Sequence, residues 1–295
     1  MMARLRMARH SIRTRAAKLS VPPSMSKFMK RQRWNRLMLV RKLLGAPAIA
    51  QRKIIWHEHP GFRKSIWKLR ECKPYALLLR GDSADVATFD EVFKRNSYGQ
   101  SLAKGQEWVD LGGHGGFFAV RALMAGAKFV HSYEPHPGNR KLYSLNCRGW
   151  PCKCLTQPVV GSKSSAHPVH LHMAANPKNT SRHSILPVKG RPQLHVRGSV
   201  TLDGVLKKHT RATAVKMDIE GAELDILEAN IKFPARINTL VFEYSFSHDA
   251  SVERFKKIMQ LLKSQFSSVK YPPSALQRPD GVKYHNRDII VHCQR

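Results

Sequence analysis

The chain predicts an α/β fold: a mostly parallel, Rossmann-like sheet with helices on both faces and an antiparallel hairpin at its end. Three observations predict it. Residues 108–135, WVDLGGHGGFFAVRALMAGAKFVHSYEP, read as a buried strand, a glycine turn, an apolar helical segment and a second strand ending on an acid. That is half of a nucleotide-binding unit. Strand-like and helical patterns then alternate, which favours a parallel sheet covered on both faces. Two closing strand-like stretches, near 267–271 and 288–292, have no crossover helix between them and should pair antiparallel.

Taken in order, residues 1–24 are rich in Arg, Ser and Ala and hold no acid, with Pro22 and Pro23 as a helix stop. This composition suits a mitochondrial transit peptide or a basic arm that stays on and grips nucleic acid. A helix is expected over 25–45, where Phe28, Met29, Trp34, Leu37 and Val40 lie among basic residues ahead of Gly45 and Pro47. Between 51 and 74, Trp56, Phe62 and Trp67 continue that pattern. Aromatics in a basic segment can stack on unpaired bases; anchoring the extension onto its own domain is the preferred reading for Trp56 and Trp67.

The globular domain is expected over 75–295, leaving 1–74 as a basic N-terminal extension. It should open with a strand at 75–80 and a helix over 83–95 carrying Val86, Phe89, Val92 and Phe93 on one face. After the glycine unit come a helix at 138–150, a strand at 153–160, a half-exposed strand at 167–172 and a loop over 174–192 beside the site. A short helix at 202–208 precedes a buried strand at 213–219 ending in acids, a helix at 222–230 and a buried strand at 238–244. Asp249 should cap an amphipathic helix with Val252, Phe255, Ile258, Met259 and Leu262 on its apolar face.

Charge is the outlier. The chain has 51 Lys+Arg against 20 Asp+Glu, a net charge of +31. Residues 1–80 hold 21 basic and 2 acidic residues, leaving +19, and the first acid is Glu58. Such an excess predicts a polyanionic partner, RNA or a ribonucleoprotein bound through residues 1–74. An anionic membrane surface satisfies the same electrostatics. No apolar run reaches transmembrane length, the best, residues 43–50, being broken by Pro47. The five cysteines, Cys72, Cys147, Cys152, Cys154 and Cys293, are odd in number. They suggest free thiols in a reducing, intracellular compartment: the mitochondrion if the N-terminus is a transit peptide, otherwise cytoplasm or nucleus. C-x4-C-x-C is not a zinc spacing, so core cysteines are expected.

The glycine turn narrows the ligand. A dinucleotide fingerprint beginning at Gly113 would need Gly or Ala at 118, where Phe118 stands. A cofactor without a pyrophosphate fits better.

At this point the residues resemble a family. The turn from Asp110 to Gly116 (DLGGHGG) is similar to the first motif of S-adenosylmethionine-dependent methyltransferases. Residues 215–223, VKMDIEGAE, closely resemble the hallmark of the FkbM-type methyltransferases. Thr201-Leu-Asp203, Val159-Val-Gly161, Thr180-Ser-Arg-His-Ser184 and the late strand ending at Glu243 support the match, which spans about residues 75–295. The resemblance implies a class I methyltransferase fold, S-adenosylmethionine as cofactor and O-methyl transfer.

It also implies roles. Gly112, Gly113 and Gly116 let backbone amides approach the methionine end of the cofactor. Asp110 is placed to receive its ammonium, directly or through water. Glu134, at the tip of the second strand, can accept both ribose hydroxyls, as an acid does in dinucleotide folds. His114 stands where the family often has Asn and is expected on the cofactor. Asp218 and Glu220 would line the mouth where cofactor and acceptor meet, while Glu223 serves equally well as a partner of the helix dipole.

An acceptor hydroxyl needs its proton removed, for which Asp218, Glu243 and His248 are the candidates. No His or Asp spacing supports a metal. The lysine–aspartate–lysine–glutamate tetrad of 2′-O RNA methyltransferases is not readable, since Glu243 stands where its second lysine is expected. The family's usual acceptors are small metabolites or sugar hydroxyls, whereas the charge argues for RNA. A non-catalytic RNA- or ribosome-bound protein that keeps the fold is the alternative from another class.

Overall fold

A computed structural model of the chain describes residues 67–72, 75–81, 83–99, 103–161, 169–187, 189–196, 198–229, 232–246, 252–273 and 288–295. The expected arm and helix within 1–66, His248 and the cap Asp249 lie outside the described residues.

Strand β1 (Trp67–Cys72) and β2 (Tyr75–Arg80) pair antiparallel, Trp67 opposite Arg80 and Cys72 opposite Tyr75. The boundary expected at residue 75 falls between these two strands. The helix expected over 83–95 is two windings: α1 (Asp85–Phe89) and a π-helical turn, Asp90–Lys94, across which Phe89 stacks on Phe93 at 4.8 Å.

The glycine unit forms as expected. Strand β3 (Glu107–Leu111) leads through the turn into α2 (Phe117–Met124) and then β4 (Phe129–Tyr133). Helix α3 (Pro137–Asn146) has Pro at its first position and His136 as its cap, whose Nδ1 accepts from the Asn139 amide at 3.2 Å. The strand expected at 153–160 is broken. Strand β5 (Cys152–Leu155) stays in the main sheet, whereas β6 (Val159–Val160) leaves it. The first ladder ends at Leu155, and from the Pro158 carbonyl, which accepts from the Val200 amide at 3.0 Å, the chain pairs with a different strand.

A side hairpin, β7 (Val169–His172) with β8 (Gln193–Val196), brackets the 174–192 loop, and β9 (Val200–Thr201) pairs with β6. Helix α4 (Leu202–Lys208) is capped by Thr201, whose Oγ1 accepts from the Gly204 amide at 3.2 Å. There follow β10 (Ala214–Met217), α5 (Ala222–Glu228), β11 (Thr239–Tyr244), α6 (Val252–Lys263), β12 (Ser268–Lys270) and β13 (Ile289–Gln294).

The seven-stranded sheet runs β12-β13-β11-β10-β3-β4-β5. Five strands, from β11 to β5, are parallel, and β13 lies antiparallel between β11 and β12. The closing antiparallel pair is therefore as expected, with the last strand inserted one place inward. Strand order reverses at β3 and β10, so their carboxyl ends open a crevice where ligands of such sheets bind. The core beneath is Val109, Leu111, Val215, Met217, Leu240 and Phe242 on the strands, with Leu224, Leu227, Phe255, Ile258 and Leu262 from α5 and α6. The alternation of Phe255, Ile258, Met259 and Leu262 is the buried face read from the sequence.

Candidate functional site

The crevice holds a cleft of ≈ 200 Å³, open to solvent. Gly112 and His114 of the glycine turn, Glu134 and Pro135 beyond β4, and Gln157, Pro158 and Val159 beyond β5 line one end. Asp218, Ile219 and Glu220 beyond β10, Glu243 on β11, Glu91 and Asp288 line the other. Ser181, Arg182, His183 and Ile185 of the 174–192 loop complete it.

Two turns meet at its floor. Gly112 has φ +87°, and a Cβ there would sit 1.8 Å from the Asp218 carbonyl oxygen, so only glycine lets them touch. The Asp218 amide donates to the Leu111 carbonyl at 3.0 Å. His114 and Glu220, one in each turn, are non-glycine residues with positive φ, 44° and 59°, a strain typical of functional turns.

Glu134 is buried at the tip of β4. Its Oε2 accepts from the His114 amide at 2.8 Å and its Oε1 from the His136 amide at 2.7 Å. Burial pushes its carboxyl above the usual range despite these amides. Each oxygen keeps lone-pair capacity for a further donor.

Asp110 is fully buried beneath the turn, accepts from Ser132 Oγ at 2.7 Å and pairs with Lys216 Nζ at 3.1 Å. It lies behind Gly112 and Asp218, which line the cleft. Gly113 and Gly116 also serve packing: a Cβ on Gly113 would lie 2.9 Å from Ser132 Cβ, and one on Gly116 2.5 Å from Cys147 Sγ.

Lys216, read from the sequence only as part of a motif, is the centre of the floor. Its ammonium is buried, donates to the Gly112 carbonyl at 2.8 Å and lies 3.6 Å from Asp218 Oδ2. Burial opposes its charge, but Asp110 and Asp218 outweigh that and raise its pKa. Asp218 also accepts from the buried Tyr98 hydroxyl at 2.7 Å and hydrogen-bonds Glu243. Burial would raise Asp218, yet Lys216, Glu243 and Tyr98 hold it below the carboxylate range. Burial and then Asp218 push Glu243 well up. Of the two, Glu243 is therefore the one that takes up a proton more readily. Glu220 is likewise raised, by burial and then Asp218.

Glu223 closes its own turn, with its carboxylate accepting from the Gly221 amide at 2.8 Å and from the Ile219 amide. It is a buried cap and not a cleft residue. His114 is neutral, burial pulling it to about 4, and its Nε2 lies 3.2 Å from Thr180 Oγ1. Among the described residues Cys147, Cys152, Cys154 and Cys293 are free thiols, and no group of three His, Cys, Asp or Glu is placed to hold a metal.

Sequence reasoning missed Tyr98, Gln157, Glu91, Asp288 and the role of Lys216. A lysine inside an apolar strand was itself a signal, because a buried cation needs partners. Tyr98 left none, being 120 positions from Asp218.

Residues 110–268 match the model of the methyltransferase FkbM domain family. No curated protein matches the chain. Among solved structures, it is similar to a proposed SAM-dependent methyltransferase from Streptococcus mutans, at 11% identity and TM-score 0.43, covering 83% of this chain and 58% of that one. The SAM-dependent methyltransferase from Agrobacterium tumefaciens aligns at 12% identity and TM-score 0.43, covering 77% and 70%. Ribosomal protein L11 methylase from Lactobacillus delbrueckii subsp. bulgaricus aligns at 12% identity and TM-score 0.33, covering 68% and 76%. The chain thus spans little more than half of the Streptococcus protein, and likenesses at these values say nothing of substrate.

Proposed function

The chain belongs to the FkbM methyltransferase domain family, and on that premise we propose that it transfers a methyl group from S-adenosylmethionine to an uncharged hydroxyl. S-adenosylmethionine is the family's cofactor, and the donor set of the cleft fits it. Glu134, whose two oxygens each accept one backbone amide, suits paired ribose hydroxyls. Pro158, Val159 and Leu171 supply an apolar wall and Gln157 an amide for a flat base. The glycine turn suits the methionine end. When bound, the cofactor supplies a methyl group activated on a sulfonium.

The observation that carries the hydroxyl reading is the Asp218–Glu243 pair. Asp218 stays ionised at neutral pH and lines the cleft, so it can accept a hydroxyl's hydrogen bond and orient its oxygen. The Asp218 carboxylate, lining the cleft beside Glu243, is placed to take the proton that the acceptor loses. Lys216 and Tyr98 fix Asp218 in place, which is the positioning on which an in-line displacement depends.

The other acidic lining residues favour an uncharged acceptor. Glu91, Glu220 and Asp288 face the cleft besides the Asp218–Glu243 pair, with Arg182 as its one lysine or arginine among the described residues. Phosphates would meet repulsion there, which supports the sugar or small-molecule hydroxyl that is usual in the family. A second reading, RNA or a ribonucleoprotein as acceptor, is supported by the +19 left by the 21 basic and 2 acidic residues of 1–80.

Labelled methyl from S-adenosylmethionine, offered to fractionated small-molecule, protein and RNA pools, tests both. Label in a sugar or small-molecule fraction is the expected result, and label in RNA establishes the second reading. Folded protein that binds neither S-adenosylmethionine nor its demethylated product in calorimetry would be a non-catalytic member of the fold.

A further inference from the structure

The most connected polar group among the described residues lies just behind the cleft. Arg80, the last residue of β2, is buried and grips Asp85 with a two-pronged fork, Nε to Oδ2 at 2.9 Å and Nη2 to Oδ1 at 2.8 Å. Its own backbone amide donates to the same Oδ2 at 2.7 Å. Nη2 also donates to Asn139 Oδ1 at 2.8 Å and lies 3.3 Å from His114 Nε2. Thr180, 2% exposed, joins from the 174–192 loop: its hydroxyl donates to Asp85 Oδ1 at 2.8 Å, and its carbonyl accepts from Asn139 Nδ2 at 3.0 Å. The Ala84 amide adds a bond to the Lys178 carbonyl at 2.8 Å.

Five separate stretches of chain therefore converge on one ion pair: the end of β2, the start of α1, the glycine turn, the start of α3 and the loop. Neither Arg80, Asp85 nor Thr180 lines the cleft, but each partner they hold does so or is followed by residues that do. His114 and Asn139 line it directly, and Thr180 is followed by Ser181, Arg182 and His183. At the loop's other end the Ser184 hydroxyl donates to the Glu220 carbonyl at 2.7 Å. A buried pair of this kind gains little net stability over an apolar substitute. What it does fix is geometry, since a bidentate Arg–carboxylate fork tolerates little displacement.

We infer that Arg80 and Asp85 are positioning residues that lock the 174–192 loop to the glycine turn through Thr180, setting the donor end of the cleft. The inference rests on the donor reading above. Removing Arg80 would strand Asp85 as an unpaired buried charge and endanger the fold, so the informative change is at the other end of the link. Thr180→Val keeps shape and β-branching while deleting the hydroxyl that reaches Asp85 and His114.

In the full chain, calorimetry with S-adenosylhomocysteine should show binding weakened about tenfold, equivalent to about 1.4 kcal/mol. Amide exchange across 174–192 should be faster in the ligand-free variant, with exchange in β3 and β10 unchanged. Thr180→Ser, which restores the hydroxyl, should recover both. Unchanged affinity and exchange in Thr180→Val, with the wild type binding normally, would overturn the lock alone. So would losses that Thr180→Ser does not recover. A folded wild type that fails to bind S-adenosylhomocysteine would overturn the donor reading and the lock with it.

Discussion

Lys216 illustrates how single side chains set the chemistry of this cleft. One buried ammonium stands between two aspartates, Asp110 at 3.1 Å and Asp218 at 3.6 Å, and burial and then Asp218 push the neighbouring Glu243 carboxyl well up. Glu223 is held in a comparable bind, 1% exposed and dependent on the amides of its own turn. Burial lifts its carboxyl to about 7 from an ordinary 4.5. Below pH 4.5 the group is protonated in native and unfolded chains alike and contributes nothing to the pH dependence. Between 4.5 and 7 the unfolded chain releases a proton that the native chain keeps, so stability falls as pH rises, by about 1.4 kcal/mol per unit. The total is about 3 kcal/mol above pH 7. Urea unfolding of wild type and Glu223→Gln from pH 4 to 8 should therefore diverge, the glutamine variant losing about 3 kcal/mol less over that range. Parallel profiles would show that the carboxylate is already ionised in the native turn.

At the scale of elements, the site exists because the turns after β3 and β10 touch. Gly112→Ala would drive a Cβ to 1.8 Å from the Asp218 carbonyl oxygen and impose a side chain on φ +87°. The two turns would have to separate, at a cost of about 3 kcal/mol in stability. Affinity for S-adenosylhomocysteine should fall at least tenfold, measured by calorimetry on protein shown to be folded by its far-ultraviolet spectrum. Retained affinity would mean that the turns can part without disturbing the donor end. Both turns were legible in the sequence because each is written contiguously, a short apolar strand followed by glycines and acids, as in DLGGHGG and VKMDIEGAE. The parallel strands and the amphipathic α6 were legible for the same reason: their period is local. What was not legible is what depends on distant pairing. Strand β1 has no distinctive period and is defined by β2, β6 leaves the sheet to pair with the distant Val200 and Thr201, and Asp85 finds Thr180 across 95 positions. A polar residue that will be buried by a remote loop reads in sequence like any solvated one.

For the whole molecule, the decisive feature is how charge is divided. Residues 81–295 hold 18 acids, and six of these, Glu91, Glu134, Asp218, Glu220, Glu243 and Asp288, line the cleft. Along the sequence the excess of basic charge is densest in residues 1–80, with 21 basic residues against 2 acidic. If that stretch is where a polyanion docks, docking and donor binding should be separable, because the acids that line the cleft repel phosphates. If residues 1–74 grip RNA by neutralising about six phosphates of a duplex, the log–log dependence of affinity on salt should have a slope near −5. Deleting 1–66, which spares the β1–β2 hairpin, should flatten that slope while leaving affinity for S-adenosylhomocysteine within about twofold, since none of the cleft residues is removed. A slope that survives the deletion would move the grip to the basic residues beyond position 66. Binding to anionic vesicles but not to RNA, with the same loss on deletion, would make the partner a membrane surface. Anions at high concentration should weaken docking through screening over about 10 Å at 0.1 M salt, whereas the buried Lys216 pairs, shielded from solvent, should leave donor affinity almost unmoved across the same titration.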